Sequence, residues 1–528
     1  DILAQAAGCR IRKSLMAPVG EATIAPPKPY DTSGVEVVNR PELGGAAAVA
    51  ARNFNAGEQV FCEQTLVVAS ASTNLARVRA YCGLPAESRI AIREEFFRDT
   101  PAVRCAATAA LRPDAAGSGD SAADVLHALR GEGHSELTLK EVEEVISVWN
   151  LNAYDCVLAP VACKVNHSCA PNIFVSVDVD AGEIRATACR PISIGDSLGS
   201  WYFQDTGLWW MGADVRRALF ETDRGFICAC SRCQQPDVCR ALPCDVCSSG
   251  HVIPHRAAGA MVQQDWCCNG CGRRAAGDTA RLSAEAEFVQ CALLELRPPK
   301  GAQRLALEEL LTVDASVRAR LGPRHWAAAA MSLVLHYRAR PAGGKLDAFT
   351  VACGCRFLGW LLDCGLPLPP AGIIRTPLTV ALDCASVLAP LASNETTTSF
   401  SDRRCLVARL LTQFLLPVFD ASGQPVAQVA NTGKRVEALR NWLRGLQGTC
   451  GHCSCQLAAN GDASVPGPAP LACSKCKQVR YCSRDCQRAD WRNRHSAGCL
   501  AVGESLAGDA AWRLLMADAG SGALGGNS

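Results

Sequence analysis

The residues with the most chemistry to offer are the cysteines, 31 in 528 residues, and their spacing decides what that chemistry is. Nine fall between Cys228 and Cys271 and eight between Cys450 and Cys499, mostly as C-x-C or C-x2-C pairs. Thiols so close in sequence are poorly placed to bridge one another and well placed to grip one tetrahedral ion. The other fourteen are scattered through apolar surroundings, as at Cys156, Cys163, Cys353 and Cys384, and read as reduced, buried thiols. This usage predicts a reducing, intracellular setting, nucleus and/or cytoplasm.

The C-terminal group runs Cys450-x2-Cys453, Cys473-x2-Cys476, Cys482-x3-Cys486, His495-x3-Cys499, eight ligands in all, enough for two closed zinc sites. His452 and Cys455 are spares that could replace an assigned ligand. About fifty residues with so little apolar content fold only if metal binding supplies the folding free energy. In the first group, Cys244-x2-Cys247 and Cys268-x2-Cys271, with Gly250 and Gly272 near the knuckles, make a self-contained four-cysteine ribbon that leaves Cys267 over. Upstream, Cys228-x-Cys230-x2-Cys233 supplies only three thiolates, so a fourth ligand must come from elsewhere; Cys239 is the local candidate.

Three further places carry functional side chains. The run Asn166-His167-Ser168-Cys169-Ala170-Pro171-Asn172 packs several hydrogen-bonding groups into one short stretch. By residue type alone, His167 reads as a buried histidine satisfied by backbone, Asn166 as a turn residue, and Tyr202 in Trp201-Tyr202-Phe203 as core packing. Gln487 and Trp491 stand four apart, so a short helix would turn both to one side. An amide beside an indole suits a proline-containing peptide. The alternative is that Trp491 packs over the His495 knuckle while Gln487 is solvated.

The elements that must position these groups differ along the chain. Residues 1–33, Ala/Pro-rich with Pro26, Pro27 and Pro29, read as a mobile leader. From Val35 to Val68, β-branched runs such as Glu58–Cys62 and Leu66–Val68 alternate with turn residues and predict short strands. Residues 75–149 read as a helical insert ending in the amphipathic run Leu137–Trp149, and strands return at Ile173–Val179 and Ile184–Ala188. Residues 281–445 show helical spacing, as at Leu305, Leu307, Leu310, Leu311 and Val313, and predict several antiparallel helices. Residues 500–528 read as a tail. A chain of this length with 49% hydrophobic residues predicts more than one domain. A formal charge of +2 supplies no chain-wide pull toward nucleic acid or an anionic membrane, and no apolar run is long enough to span a bilayer. Because the first residue is Asp1, targeting is not judged from this end.

The run Asn166–Asn172 resembles the N-H-S-C-x-P-N signature of the SET- and MYND-domain protein-lysine methyltransferases, and other features of that family follow in order. These are Phe54-Asn55-Ala56-Gly57-Glu58, Asn152, Gly195-Asp196 with Tyr202, Phe226, and the C-x-C-x2-C run. The likeness covers about residues 35–235, and Leu321–Trp326 is similar to the family's helical C-terminal domain. It implies an α+β multidomain chain: a SET β-fold with post-SET zinc over 34–235 (helical insert 75–149), a zinc ribbon over 236–280, a TPR-like helical bundle over 281–445 and a MYND zinc finger over 450–499. It also implies that Cys169 completes the site of Cys228, Cys230 and Cys233. In the finger it implies that Cys450, Cys453, Cys482 and Cys486 share one ion and Cys473, Cys476, His495 and Cys499 the other, four Zn2+ per chain in all. By the same likeness, S-adenosyl-L-methionine is held by Gly45, Asn152, Asn166, His167, Tyr202 and Phe226, Tyr202 is catalytic, and Gln487 and Trp491 line a groove for proline-rich peptides.

The expected activity is therefore transfer of a methyl group to a lysine of a histone or non-histone protein. The alternative is a catalytically weak or inactive scaffold that binds partners. Two departures favour the alternative, Ala47 where the cofactor loop's second glycine is expected and Arg224 where a channel tyrosine is common; a third departure is a finger at the C-terminus instead of inside the SET domain. Nucleic acid is not an expected partner. Arg480, Arg484, Arg488, Arg492 and Arg494 make the finger locally basic, but neither cysteine group has a two-Cys, two-His finger arrangement.

Overall fold

The computed structural model describes residues 31–40, 45–71, 73–96, 121–154, 156–202, 208–247, 250–256, 264–274, 279–296, 303–340, 346–366, 379–385, 408, 411–412, 416, 432–448, 450, 457, 470–496 and 499. Most of the leader, most of 456–470, the tail, and His452, Cys453 and Cys455 lie outside them. The chain divides into two compact units, residues 1–209 with 214–232, and residues 210–213 with 233–528.

The first unit is built on short antiparallel pairs. β1 (Val35–Arg40) and β2 (Gly45–Ala50) form a hairpin. β3 (Gln59–Gln64), β7 (Ile173–Asp178) and β8 (Glu183–Ala188) form a sheet ordered β3-β8-β7, and β4 (Val67–Val68) pairs with β5 (Val157–Leu158). Ile173 and Val175 on β7 and Ile184, Ala186 and Ala188 on β8 point inward, the alternation expected of a half-buried sheet. Asp31 bridges Cys62 on β3, and its carboxylate accepts from Ser33 N at 3.0 Å in an Asx turn.

Between β4 and β5 lie α1 (Asn74–Cys82), α2 (Ala86–Phe96), α3 (Ala122–Gly131) and α4 (Leu139–Asn152). Thr138 caps α4, accepting from Glu141 N, and Val142, Val145, Ile146 and Trp149 give it a buried stripe at helical spacing. α4 ends at Asn152 because Ala153 turns extended. The core of this unit runs from Phe54 and Phe61 through Trp149 to Ile192 and Leu198.

In the second unit, β10 (Leu242–Pro243), β11 (His251–Arg256) and β12 (Gln264–Cys268) form a three-stranded ribbon. Helices Thr279–Leu296, Leu307–Leu321, Trp326–Arg338 and Ala348–Asp363 follow. Trp326–His336 are all buried, so that helix is the centre of its neighbours. In the helix Leu307–Leu321 the inward stripe is Leu310, Asp314, Val317 and Leu321. Leu307 and Leu311 face outward and Leu305 precedes the helix, so the apolar spacing exaggerated the buried face. Arg240 and Glu285 form a buried ion pair, with His325 Nε2 3.0 Å from the Glu285 carboxylate. A small C-terminal module pairs Leu471–Ala472 with Arg480–Tyr481 and adds a helix, Arg484–Asp490. No described helix is long and apolar enough to cross a membrane, and no disulfide joins the described cysteines.

Candidate functional site

Two segments of the first unit cross where the sequence places its signature. β6 (Asn166–His167) runs parallel to β9 (Gly199–Ser200). Asn172 ties them, its Oδ1 accepting from Gly199 N at 2.8 Å and its Nδ2 donating to Ser197 O at 2.9 Å. A Cβ on Gly199 would lie 2.7 Å from Ser168 Cβ, so the approach requires glycine. Just upstream, the buried Glu63 carboxylate accepts from Val161 N at 2.9 Å and Ala162 N at 2.5 Å, pinning the turn that feeds β6.

The crossing builds an aromatic box around His167. Its ring centroid lies 3.9 Å from Phe220, 5.0 Å from Trp201, 5.4 Å from Tyr202 and 6.2 Å from Phe226. Tyr202 N donates to His167 Nδ1 at 3.4 Å, which leaves the ring proton on Nε2, 3.2 Å from Cys169 Sγ. Tyr202 Oη donates to Val165 O at 2.9 Å, fixing the ring. Burial pushes this phenol up to about 12, against the pull of the Arg224 guanidinium 5.8 Å from the ring centroid. Burial likewise holds the neighbouring Tyr154 phenol far above its ordinary range; its hydroxyl lies 3.3 Å from Ser200 Oγ.

A cavity of about 290 Å³ opens beside these rings, lined by Trp149, Asn152, Tyr154, Cys163, Tyr202 and Arg224, with Arg77 held at its edge by Asn150 Oδ1 at 3.2 Å. Of the expected cofactor residues, Asn152 and Tyr202 line the cavity, and His167 and Phe226 pack behind Tyr202. Asn166 lies in β6 with its Nδ2 buried and without a hydrogen-bond partner. Gly45 starts β2 with φ 131° and is not among the cavity's lining residues. Ala47 faces Val38 in the hairpin, and among described non-glycine residues only Lys477 has a positive φ, so Ala47 carries no left-handed strain.

Four groups of sulfur and imidazole ligands converge, each with its ligand atoms within 4.8 Å of one another: Cys169, Cys228, Cys230 and Cys233; Cys244, Cys247, Cys268 and Cys271; Cys473, Cys476, His495 and Cys499; and Cys450, Cys482 and Cys486. Such donor sets suit a tetrahedral ion. In the ribbon both knuckles aim backbone amides at sulfur, with Cys247 N and Val246 N 3.5 Å from Cys244 Sγ and Gly270 N 3.4 Å from Cys268 Sγ. Cys239 is outside these groups, as is Cys267, whose thiol faces Gly272 O at 3.4 Å. The expected ligand Cys453 lies outside the described residues.

Comparison with protein families finds the SET domain model matching residues 45–203 and the MYND finger model matching residues 450–499. The chain carries a SET domain and a MYND finger. Histone-lysine N-methyltransferase SET5 of Saccharomyces cerevisiae (strain YJM789) is 27% identical over 99 residues, 19% of this chain and 18% of that protein. SET5 of Meyerozyma guilliermondii is 26% identical over 103 residues, 19% and 20% of the two chains. Ubiquitin carboxyl-terminal hydrolase 15 of Arabidopsis thaliana is 34% identical over 86 residues, 16% of this chain and 9% of that one. The chain thus spans about a fifth or less of the length of these curated relatives. A solved structure, the SET domain of LSMT bound to lysine and AdoHcy, is matched over 78% of this chain and 88% of that one at 11% identity and a TM-score of 0.24.

Several residues of the SET domain site were not expected from the sequence. Trp149 and Tyr154 flank Asn152 in the chain, and nothing in their spacing marks them as cavity walls. Arg216 donates from Nε to Cys169 Sγ at 3.3 Å and is 1% exposed. It had a legible signal: Ala213, Arg216 and Phe220 share the inward stripe of the helix Ala213–Arg224, so a charge sits where an apolar residue belongs. In the MYND finger, Gln487 is half-buried and Trp491 39% exposed. Trp491 opens a π-helical turn, Trp491–His495, beyond the end of the α-helix, and its ring is 5.8 Å from that of His495. Both expected roles for the indole, knuckle packing and an exposed face, are therefore geometrically available.

Proposed function

We propose that the chain is an S-adenosyl-L-methionine-dependent protein-lysine N-methyltransferase, with four structural Zn2+ ions at the sulfur groups and a MYND finger that recruits proline-containing partners. The observation that carries this reading is the crossing of β6 and β9, which sets His167 and Phe226 behind Tyr202 at the edge of a cavity. The residues present fit the cofactor: Asn166 Nδ2 is a buried donor awaiting an acceptor, and Asn152, Asn166, His167 and Phe226 would hold it. When bound, it supplies an electrophilic methyl group.

The chain's own contribution is positioning and desolvation. A target lysine is a nucleophile only when neutral, although its ordinary pKa is about 10.4. Burial among Trp149, Tyr154, Ala162 and Val165 disfavours the ammonium form. Tyr202 stays protonated and donates its O–H hydrogen bond to Val165 O, so a lone pair of its oxygen remains to accept from the amine and align it. Holding the two reactants in line is worth several kcal/mol, on the order of 7–11 in favourable cases.

The test is calorimetric titration of the purified chain with S-adenosyl-L-methionine, followed by radiolabelled methyl transfer to histones and a cell lysate. No heat and no thermal shift at saturating ligand removes the reading, and label transfer undiminished in Tyr202→Phe removes the catalytic assignment. Arg224 favours the second reading, a scaffold without turnover, because its guanidinium and that of Arg77 put positive charge where an ammonium must enter. Cofactor binding without transfer to any substrate is the outcome expected of that scaffold. For the finger, Gln487→Ala should keep its fold and metal yet lose proline-rich partners in a pull-down.

A further inference from the structure

Cys169 is gripped from two sides by groups other than its fellow ligands. Arg216 Nε donates to its Sγ at 3.3 Å, and the Nε2–H of His167 points at the same sulfur from 3.2 Å. Arg216 is 1% exposed, and a guanidinium stays charged at every pH a folded protein meets. Two more arginines reach the same turn but contact main-chain oxygens: Arg217 Nε donates to Cys228 O at 3.2 Å, and Arg232 Nη1 to Cys169 O at 3.1 Å.

We propose that Arg216 is a positioning residue, whose buried charge holds the Cys169 thiolate in the metal centre and, through Cys169 and His167, holds the Tyr202 main chain against the cavity. Four thiolates on a divalent ion carry a net charge of about −2, which is costly to bury without compensation. Arg216 supplies a positive charge at hydrogen-bonding distance from one of those sulfurs. His167 is the link to the cavity. Its Nδ1 accepts from Tyr202 N, which commits its proton to Nε2, and the Cys169 sulfur is the acceptor in front of that proton. Around the ring stand Phe220, Trp201 and Phe226. If the sulfur moves, the ring loses its reason to keep this orientation, and Tyr202 loses the acceptor for its amide. Groups that orient metal ligands in this way commonly change metal affinity by about 10–100-fold when removed.

The methyltransferase reading enters only in the last link, where His167 and Tyr202 are taken to border the bound cofactor. The experiment compares the full chain with Arg216→Met, Arg216→Lys and Arg217→Met in three readouts: metal release to a chromophoric chelator, affinity for S-adenosylhomocysteine, and the imidazole nitrogen spectrum of His167, assigned by difference from His167→Gln. Arg216→Met is expected to release one metal equivalent at least tenfold faster than the parent, to lose its single His167 tautomer and to bind S-adenosylhomocysteine at least tenfold more weakly. Arg216→Lys should be intermediate and Arg217→Met close to the parent. Parent-like metal release in Arg216→Met overturns the proposal, and so does equal loss in Arg217→Met, which would mean general loosening of the helix. Metal loss with an unchanged His167 spectrum breaks the link to Tyr202. If Arg216→Met does not fold, Arg216→Lys decides by the same readings. A parent chain that binds no S-adenosylhomocysteine refutes the proposed activity, while metal release and the His167 spectrum still judge Arg216.

Discussion

An asparagine that serves only the fold satisfies its own amide, as Asn172 does with Gly199 and Ser197. Asn166 buries Nδ2 with no partner, and an unmet buried donor costs about 1–3 kcal/mol. Asn166→Ala is therefore expected to leave the stability of the ligand-free chain unchanged or raised by about 1 kcal/mol, and to weaken S-adenosylhomocysteine binding at least tenfold. Denaturant melts and calorimetry read the two effects, and a large stability loss with unchanged affinity would make Asn166 structural. Glu285 is the opposite case. Burial would raise its carboxyl, but Arg240, bonded at 2.5 and 2.6 Å, and His325 at 3.0 Å overcome this and bring it from 4.5 to about 2. A folded pKa below the unfolded one means stability that is present above pH 4.5 and lost as pH falls toward 2. Glu285→Gln should cost about 3 kcal/mol at neutral pH, with the gap to the parent constant from pH 8 to about 5 and narrowing below 4.5. Tryptophan fluorescence during urea unfolding measures it, and a gap that ignores pH would mean that the carboxylate's charge contributes nothing.

Among elements, legibility followed length. β7, β8 and α4 are long enough for their periods to show, and the sequence places all three to within a few residues. β6 and β9 are two residues each, too short for any period, and their parallel pairing joins positions 33 apart, as Asn166 with Gly199. Only the resemblance of Asn166–Asn172 to a known signature pointed there; Gly199 went unnoticed because it matters through a neighbour distant in the chain, and Arg216 showed only as a charge on an apolar stripe, with nothing local to name the sulfur it meets. Gly199→Ala tests the crossing as an element. Its Cβ would meet Ser168 Cβ at 2.7 Å, and neither atom is the end of a flexible side chain. The strands must separate or shear, at a cost of about 1–3 kcal/mol. The His167 box should open with them, so the variant is expected to lower the melting temperature and abolish cofactor binding together. A variant of parental stability and affinity would mean that the two strands have slack.

At the scale of the whole molecule, metal and apolar burial divide the work of folding unequally. The SET core holds dozens of packed apolar side chains, from Phe54 through Val145 and Trp149 to Leu198, and does not depend on sulfur for its bulk. Among the described residues, the MYND core consists of Cys450, Cys473, Cys476 and Cys499 with Val479 and Tyr481, and Leu457 and Leu471 pack against it half-buried. The Tyr481 hydroxyl is bonded to the buried Asp490 at 2.9 Å, which orders the helix Arg484–Asp490 but adds little apolar burial. So small an apolar core among the described residues leaves metal binding to supply the folding free energy. Chelation should therefore melt the finger outright while the SET core stays folded. The chain as purified should carry four zinc ions, and as chelator removes them, hydrogen exchange should speed up to unprotected rates across residues 471–495. Residues 139–152 of α4 should keep their protection, because their stripe packs on carbon. Protection that survives at 471–495 after all metal has gone would show that the finger folds by some other means, and its two sulfur groups would lose their claim to a structural role.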